Sequence, residues 1–220
     1  RLKKNEEVVL KALKKNVLSI LYVDNTLKKN KNFIMNALKQ CNWGTFVENI
    51  DDELKKDREV VFEAVKQWGM SIQFLDKSFA KDKEIIMTAV KQYCNALEFA
   101  DENLKKDKKI VLEAVKQNGY SLKYADVSLK EDKNFVLILV KTNGNALSYV
   151  SSDLKKDKEI VLEAVRENGN SLLHADKILK KDKEIVLEAV KNNSYSIQYA
   201  DKDLQNDKEI LSVATKIDDY

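Results

Sequence analysis

One segment of about twenty-five residues, close to LKKDKEIVLEAVKQNGYSLKYAD, recurs from one end of the chain to the other. Its first residue falls at Leu2, Leu27, Leu54, Phe79, Leu104, Leu129, Leu154, Leu179 and Leu204. Each step is 25 residues except that from Leu27 to Leu54, which is 27. A fixed period in this range marks stacked units, because one such unit alone cannot cover its own apolar face. The expected fold is all-α: a curved α-solenoid of stacked two-helix repeats, about 25 residues per repeat, forming a single helical-repeat domain over residues 1–220.

Composition fits one continuous array. There is no proline, and the five glycines all occupy one recurring place, so no linker divides the chain. Charged residues make up 34%, as expected where thin layers expose much of their surface, yet the net charge is only +3. Interleaved charges of both signs argue against a polyanion binder on charge alone. Cys41 and Cys94 lie in different repeats and form neither a disulfide framework nor a metal spacing, which fits a reducing compartment. With no membrane-length apolar run and no signal peptide, the expected location is the cytoplasm, or a host cytosol if the source is an intracellular bacterium.

Residues 104–128 serve as the type unit, numbered from Leu104 as position 1. Position 4 is Asp107, and its equivalents are Asn5, Asn30, Asp57, Asp82, Asp132, Asp157, Asp182 and Asp207. Every one is Asp or Asn, the side chains that accept from the free N–H groups opening a helix. Ile110, Val111, Leu112, Ala114 and Val115 follow as a helical apolar stripe. Asn118-Gly119 stops it, and Gly69, Gly144 and Gly169 recur there, predicting a left-handed turn at the helix end. A second, shorter helix begins near Ser121 and carries Leu122, Tyr124 and Ala125, with Asp126 placed to cap a last turn before the next unit. Spacing does not decide whether it bends at that aspartate. Ala114 and its equivalents mark a close approach of neighbouring helices.

The unit resembles the domain-of-unknown-function 4116 repeat family, whose tandem copies read approximately LKNDREVVLAAVKQNGWALEYAS. Six features recur in order over essentially the whole chain: the leucine, the basic pair, the capping Asp, the VVLxAV stripe, the Asn-Gly and the L-x-Y-A. Tyr120 and Tyr195 stand where that family has tryptophan, and Asp replaces its Ser near the unit's end. The resemblance implies tandem helical repeats found in bacterial, protist and large-virus proteins, some of them effectors of intracellular bacteria. It brings no catalytic residues.

Nothing points to an enzyme. The one histidine, His174, occupies the aromatic slot of Tyr22, Phe74, Phe99, Tyr124, Tyr149 and Tyr199, and a single histidine cannot assemble a metal site. No nucleophile elbow or glycine-rich phosphate loop occurs. The carboxylates repeat identically as caps or exposed helix positions, whereas a catalytic site should break the repeat. The expectation is no catalytic residues, no cofactor and no metal.

Two binding surfaces compete. Position 13 is basic throughout, at Lys14, Lys39, Lys66, Lys91, Lys116, Lys141, Arg166, Lys191 and Lys216. Stacking would space these cations by ~10 Å, a ladder able to follow a single-stranded nucleic acid. Set against this, Glu63, Glu113, Glu163 and Glu188 lie three residues earlier and would pair with the column, and helix C-termini favour cations in any case. Positions 15 and 17 vary between units, holding Trp43, Trp68, Tyr93, Tyr120 and Tyr195 beside amides at the interhelix turn. Aromatic and amide groups at a turn edge suit a protein partner, or simply cover the hairpin core. Ile138, in the place of the position-10 glutamates, is the remaining anomaly. The first reading is a non-enzymatic scaffold mediating protein–protein interaction. The alternatives are a single-stranded nucleic-acid-binding solenoid and a structural spacer in a larger effector-type protein.

The two ends differ. Ser212 and Thr215 make the last helix polar, as a terminal cap requires, whereas Val8, Val9 and Leu13 begin the pattern with nothing before them. The chain is therefore expected to be the C-terminal part of a longer polypeptide, or to have its first helix covered by something else.

Overall fold

The computed structural model describes residues 2–41 and 44–218, with side chains over 2–41 and 46–215. It falls into two compact units, Arg1–Leu104 and Lys105–Tyr220. The described residues are helical with no β-strand. The first unit holds the α-helices Glu6–Lys15, Lys31–Gln40, Arg58–Gln67 and Lys83–Gln92. The second holds Lys108–Gln117, Lys133–Thr142, Lys158–Glu167, Lys183–Asn192 and Lys208–Asp218. Both are built from the same tandem helical repeat.

Each long helix opens as its cap dictates. The Asp157 carboxylate accepts from Glu159 N–H at 3.0 Å and Ile160 N–H at 3.3 Å, and Asp57, Asp82 and Asp182 do the same in their repeats. Such a cap contributes about 1 kcal/mol. The helix ends where position 15 turns extended. Asn118, at φ −155°, still donates its N–H to Ala114 O at 3.1 Å, while its own Oδ1 accepts from Tyr120 N–H at 3.0 Å. One residue thus closes one helix and opens the next.

The left-handed turn expected at the glycine is absent: no described residue has positive φ. Glycine is there because the following repeat comes too close. A methyl group on Gly144 would lie 2.4 Å from Ala164 O and 2.7 Å from Ser171 Oγ, and one on Gly69 would lie 2.3 Å from Ala89 O. The carbonyl met is that of the position-11 alanine, so glycine and alanine together allow the layers to touch.

The second helix is a six-residue 3-10 segment, Gly119–Tyr124 in the type unit. It ends at Ala125, extended at φ −70° and ψ 157°, and Asp126 then caps a separate turn, Val127–Glu131, by accepting from Ser128 N–H at 2.9 Å. The chain therefore does break at that aspartate. Asp126 N–H also donates to Lys105 O at 3.1 Å, joining the end of a repeat to its start. Asp51 to Lys28, Asp76 to Lys55 and Asp176 to Lys155 repeat this bond.

Stacking supplies most of the stability. Ile160, Val161, Ala164, Val165 and Leu172 are all fully buried, and each larger side chain contributes roughly 1.5–3 kcal/mol on leaving water. The layers are also tied by ions. Position 5 is basic in every repeat but the first, where it is Glu6, and at Lys31, Arg58, Lys133, Lys158 and Lys183 it reaches both the capping aspartate and the position-6 glutamate of the following repeat. Lys31 pairs with Asp57 and Glu59 at 2.9 and 2.8 Å, and Lys158 with Asp182 and Glu184 at 2.7 and 2.8 Å. Lys133 and Lys183 repeat the fork.

The first repeat lacks such cover. Val8 is 40% exposed where its equivalent Ile110 is fully buried, and Leu2, Val8, Val9, Ala12, Tyr22 and Val23 border an open groove of about 230 Å³.

Candidate interaction surface

The threefold winding of the 3-10 segment sorts its residues. Residues three apart lie above one another, so positions 17 and 20 share an edge while 18 and 19 face inward. Ser121 and Leu122 are accordingly buried, and Tyr120 and Lys123 exposed. In the second unit this edge carries Tyr120 and Lys123, then Asn145 and Ser148, Asn170 and Leu173, Tyr195 and Gln198.

The aromatic candidates divide by position. Trp68 and Tyr93, at position 15, are half-buried. Their N–H groups close the preceding helices on Ala64 O and Ala89 O at 2.9 and 2.8 Å. The Trp68 ring stacks on Phe74 with centroids 6.4 Å apart, and the Tyr93 hydroxyl accepts from Asn95 Nδ2 at 3.4 Å. Tyr120 and Tyr195, at position 17, stand 41% and 71% exposed. Tyr120 meets Tyr149 and His174 edge-on, each with centroids 6.3 Å apart, so the structure brings these three rings together. Ile138, on the helix Lys133–Thr142, is exposed and is not part of this ring cluster. Trp43 lies outside the described residues, as does the Lys216 side chain.

His174 fills its aromatic slot half-buried. Burial, and then the ammonium groups of Lys155 and Lys180, hold its imidazole below the usual histidine range. It is neutral at pH 7.

The position-13 column proves to be largely neutralised in the second unit. Lys116 pairs with Glu113 at 3.6 Å, Lys141 with Glu163 at 3.6 Å, and Lys191 with Glu188 at 2.7 Å. Arg166 bridges Glu163 and Glu188 at 3.0 and 3.2 Å. Lys66 and Lys91 in the first unit are exposed, and Glu63 there accepts from Gln67 instead.

A second basic column was missed from sequence. Position-2 lysines fold back onto the carbonyl that ends the preceding 3-10 segment: Lys130 on Lys123 O at 2.8 Å, Lys155 on Ser148 O at 2.7 Å, and Lys180 on Leu173 O at 2.7 Å. These are the position-20 carbonyls, so the ammonium groups border the same edge as Tyr120, Asn145 and Asn170. Lysine recurring at position 2, as at Lys105, Lys130, Lys155 and Lys180, was the available signal.

Among the described residues no group of His, Cys, Asp and Glu is arranged to hold a metal ion, and no helix is long and apolar enough to cross a membrane. Burial raises the pKa of the Cys41 thiol, opposite to what a reactive thiolate needs.

The model of the family described as domain of unknown function (DUF4116) matches residues 5–44, 41–80, 82–130, 132–180 and 182–220. The chain belongs to the DUF4116 family. The DUF4116 segments 82–130 and 132–180 each span two of the 25-residue layers and start at a capping aspartate, Asp82 or Asp132. No curated protein matches the chain, and no solved structure does.

Proposed function

We propose that this DUF4116 chain is a non-enzymatic, intracellular scaffold that binds a protein partner along the exposed edge of its 3-10 segments. The observation that carries this reading is the position-17 column. Tyr120 and Tyr195 are exposed on a stacked base, while Trp68 and Tyr93 are half-buried, the Trp68 ring against Phe74 and the Tyr93 hydroxyl on Asn95. Exposed tyrosines bordered by amides give large contact area at little entropic cost, which suits a polypeptide surface. Pairing of Lys116, Lys141, Arg166 and Lys191 with glutamates weighs against a phosphate backbone as the ligand of the position-13 ladder, since those cations already hold their counter-charges.

The test is site-specific photocrosslinking in an extract of the source cell. A photoreactive phenylalanine at Tyr120 or Tyr195 should give one discrete protein adduct, and the same probe at Lys109, at a helix start, should not. Adducts of equal yield at all three positions, or adducts with RNA only, would defeat the reading.

A further inference from the structure

We infer that the edge of the second unit recognises an acidic polypeptide segment in extended conformation, with its carboxylates taken by Lys130, Lys155 and Lys180 and its backbone carbonyls by Asn145 and Asn170. The inference rests on the scaffold reading and specifies the chemistry of its partner.

Three observations support it. The first is charge without an ion pair at half-buried lysines. Several other lysines of this unit do pair with carboxylates: Lys106 with Asp126, Lys133 with Asp157, Lys158 with Asp182, Lys181 with Asp201. Lys130, Lys155 and Lys180 make no ion pair with any described residue, although they are half-buried and their ammonium groups are partly stripped of water. Each is held in place by a single carbonyl, which leaves two of its three N–H donors for an anion. Around Lys180 and His174 the acting charges are Lys155, Lys177 and Asp176, and Asp176 already accepts from Ile178 N–H at 2.9 Å. At His174 the field is positive, while Asp126 beside Lys130 and Asp176 beside Lys180 offset part of the charge without closing an ion pair.

The second observation is an unspent donor in successive repeats. Asn145 Oδ1 accepts from Asn168 Nδ2 at 2.9 Å, and Asn170 Oδ1 accepts from Ser196 Oγ at 3.4 Å. These bonds fix both amides with the oxygen occupied, and neither Nδ2 donates to any described residue. A chain extended as a polyproline-II helix rises ~3.1 Å per residue with three residues per turn, so an amide in each layer, ~10 Å apart, meets every third carbonyl on the same side. The third is the ring cluster of Tyr120, Tyr149 and His174 between the ammonium groups. Its edge-on packing offers apolar walls for a side chain rather than parallel faces on which successive bases would stack.

The fold contains its own control. Gln205 occupies position 2 of the last repeat and donates its Nε2 to Gln198 O at 3.1 Å. Its Nε2 also reaches Ala200 O at 2.9 Å, so glutamine in place of lysine keeps the bond to the 3-10 segment while removing the charge.

The experiment is fluorescence anisotropy with the full chain and a labelled peptide of about ten residues, glutamate at every third position with valines between, long enough to cross three layers. Its lysine–valine counterpart and a labelled oligouridylate are the comparison probes. The glutamate peptide should bind, the lysine peptide at least ~10-fold more weakly. Lys155→Gln combined with Lys180→Gln should weaken the glutamate peptide ~10-fold without lowering the melting temperature, and Asn170→Asp, which keeps the oxygen and replaces the donor, should do likewise. Lys66→Gln combined with Lys91→Gln should change nothing. Equal binding of the two peptides, indifference to the glutamine variants, or preference for the oligouridylate overturns the inference. Absence of any peptide binding also overturns it, and if Tyr195 still crosslinks to a protein, the scaffold reading survives with a folded partner.

Discussion

Arg58 reaches Asp82 of the following repeat, Nε to Oδ2 at 2.8 Å, while the other carboxylate oxygen of Asp82 caps its own helix by accepting from Glu84 and Ile85 N–H. One aspartate thus starts a helix and ties it to the layer before. Burial opposes the charge on Asp82, and the Arg58 guanidinium and the two N–H groups outweigh it, so its pKa is lowered. The two duties separate by substitution. Asp82→Ala loses both and should cost about 1 kcal/mol or somewhat more, the ordinary loss of a cap. Asp82→Asn keeps an acceptor for the N–H groups and loses only one ion pair, so its cost should be the smallest, below that of Arg58→Ala, which also removes the pair with Glu84, and both should be small because Arg58 is exposed and salt-screened. Urea unfolding of the three variants decides it. Equal losses for Asp82→Ala and Asp82→Asn would mean that the cap contributes nothing.

Two residues at the same place in the repeat should respond differently to truncation. Val8 is 40% exposed, and Ile110 is fully buried. Ile110→Ala leaves a cavity that the packed repeats cannot close and should cost about 2–5 kcal/mol. Val8→Ala should cost well under ~1 kcal/mol, since much of its surface stays in water already. Denaturant midpoints report this difference. A large loss for Val8→Ala in the 220-residue chain would show that its face is covered.

Much of the repeat was legible because it depends on local chemistry written out in each copy. The period, the Asp and Asn caps and the apolar stripe through Ile110, Val111, Ala114 and Val115 need only neighbouring residues to be recognised. What escaped depends on the register between layers. The link from Lys31 to Asp57 and Glu59 joins residues 26 and 28 apart, and that from Lys158 to Asp182 and Glu184 residues 24 and 26 apart, distances at which no local rule operates. The 3-10 winding escaped for a related reason: Ser121, Leu122 and Tyr124 fit a short α-helix equally well. That winding separates the exposed Tyr120 and Tyr195 from the half-buried Trp68 and Tyr93, residues of one chemical type that a sequence cannot tell apart.

Glycine at position 16 answers a crowding problem rather than a dihedral one, and this changes the expected effect of replacing it. At an unstrained negative φ, Gly→Ala normally stabilises by about 0.4–1 kcal/mol through the unfolded chain. Gly144 has no positive φ, yet its new methyl would sit 2.4 Å from the backbone oxygen of Ala164. A backbone atom cannot swing aside as a side-chain tip does, so the layers must part. Gly144→Ala should therefore destabilise by about 1–3 kcal/mol, as overpacked contacts do. The repeats that carry Val17, Cys94 or Ser194 at this position show that a spacing can be reached which accepts a side chain. Thermal melting of Gly144→Ala against Ser194→Gly gives the comparison, and a stabilised Gly144→Ala would refute the close contact.

His174 gives the array a pH dependence that its tyrosine equivalents lack. In the folded chain burial, followed by Lys155 and Lys180, lowers its pKa below the usual 6.5. The unfolded chain therefore takes up this proton first as the medium is acidified. The stability associated with neutral His174 is complete above pH 6.5, falls as the pH drops from there toward the folded-state value, and changes no further below it. The capping aspartates stay ionised across this window, because those at Asp157 and Asp182, despite burial, are held below the normal carboxylate range by Lys133, Lys158 and the helix N–H groups. Their contribution is lost only at more acid pH, so the histidine can be read separately. His174→Tyr places in the slot the ring found at Tyr149 and Tyr199, and it should remove the decline between pH 7.5 and 5.5 while leaving the melting temperature near neutrality little changed. An identical decline in wild type and variant would show that the imidazole titrates alike in the folded and unfolded chains, and that Lys155 and Lys180 do not bear on it.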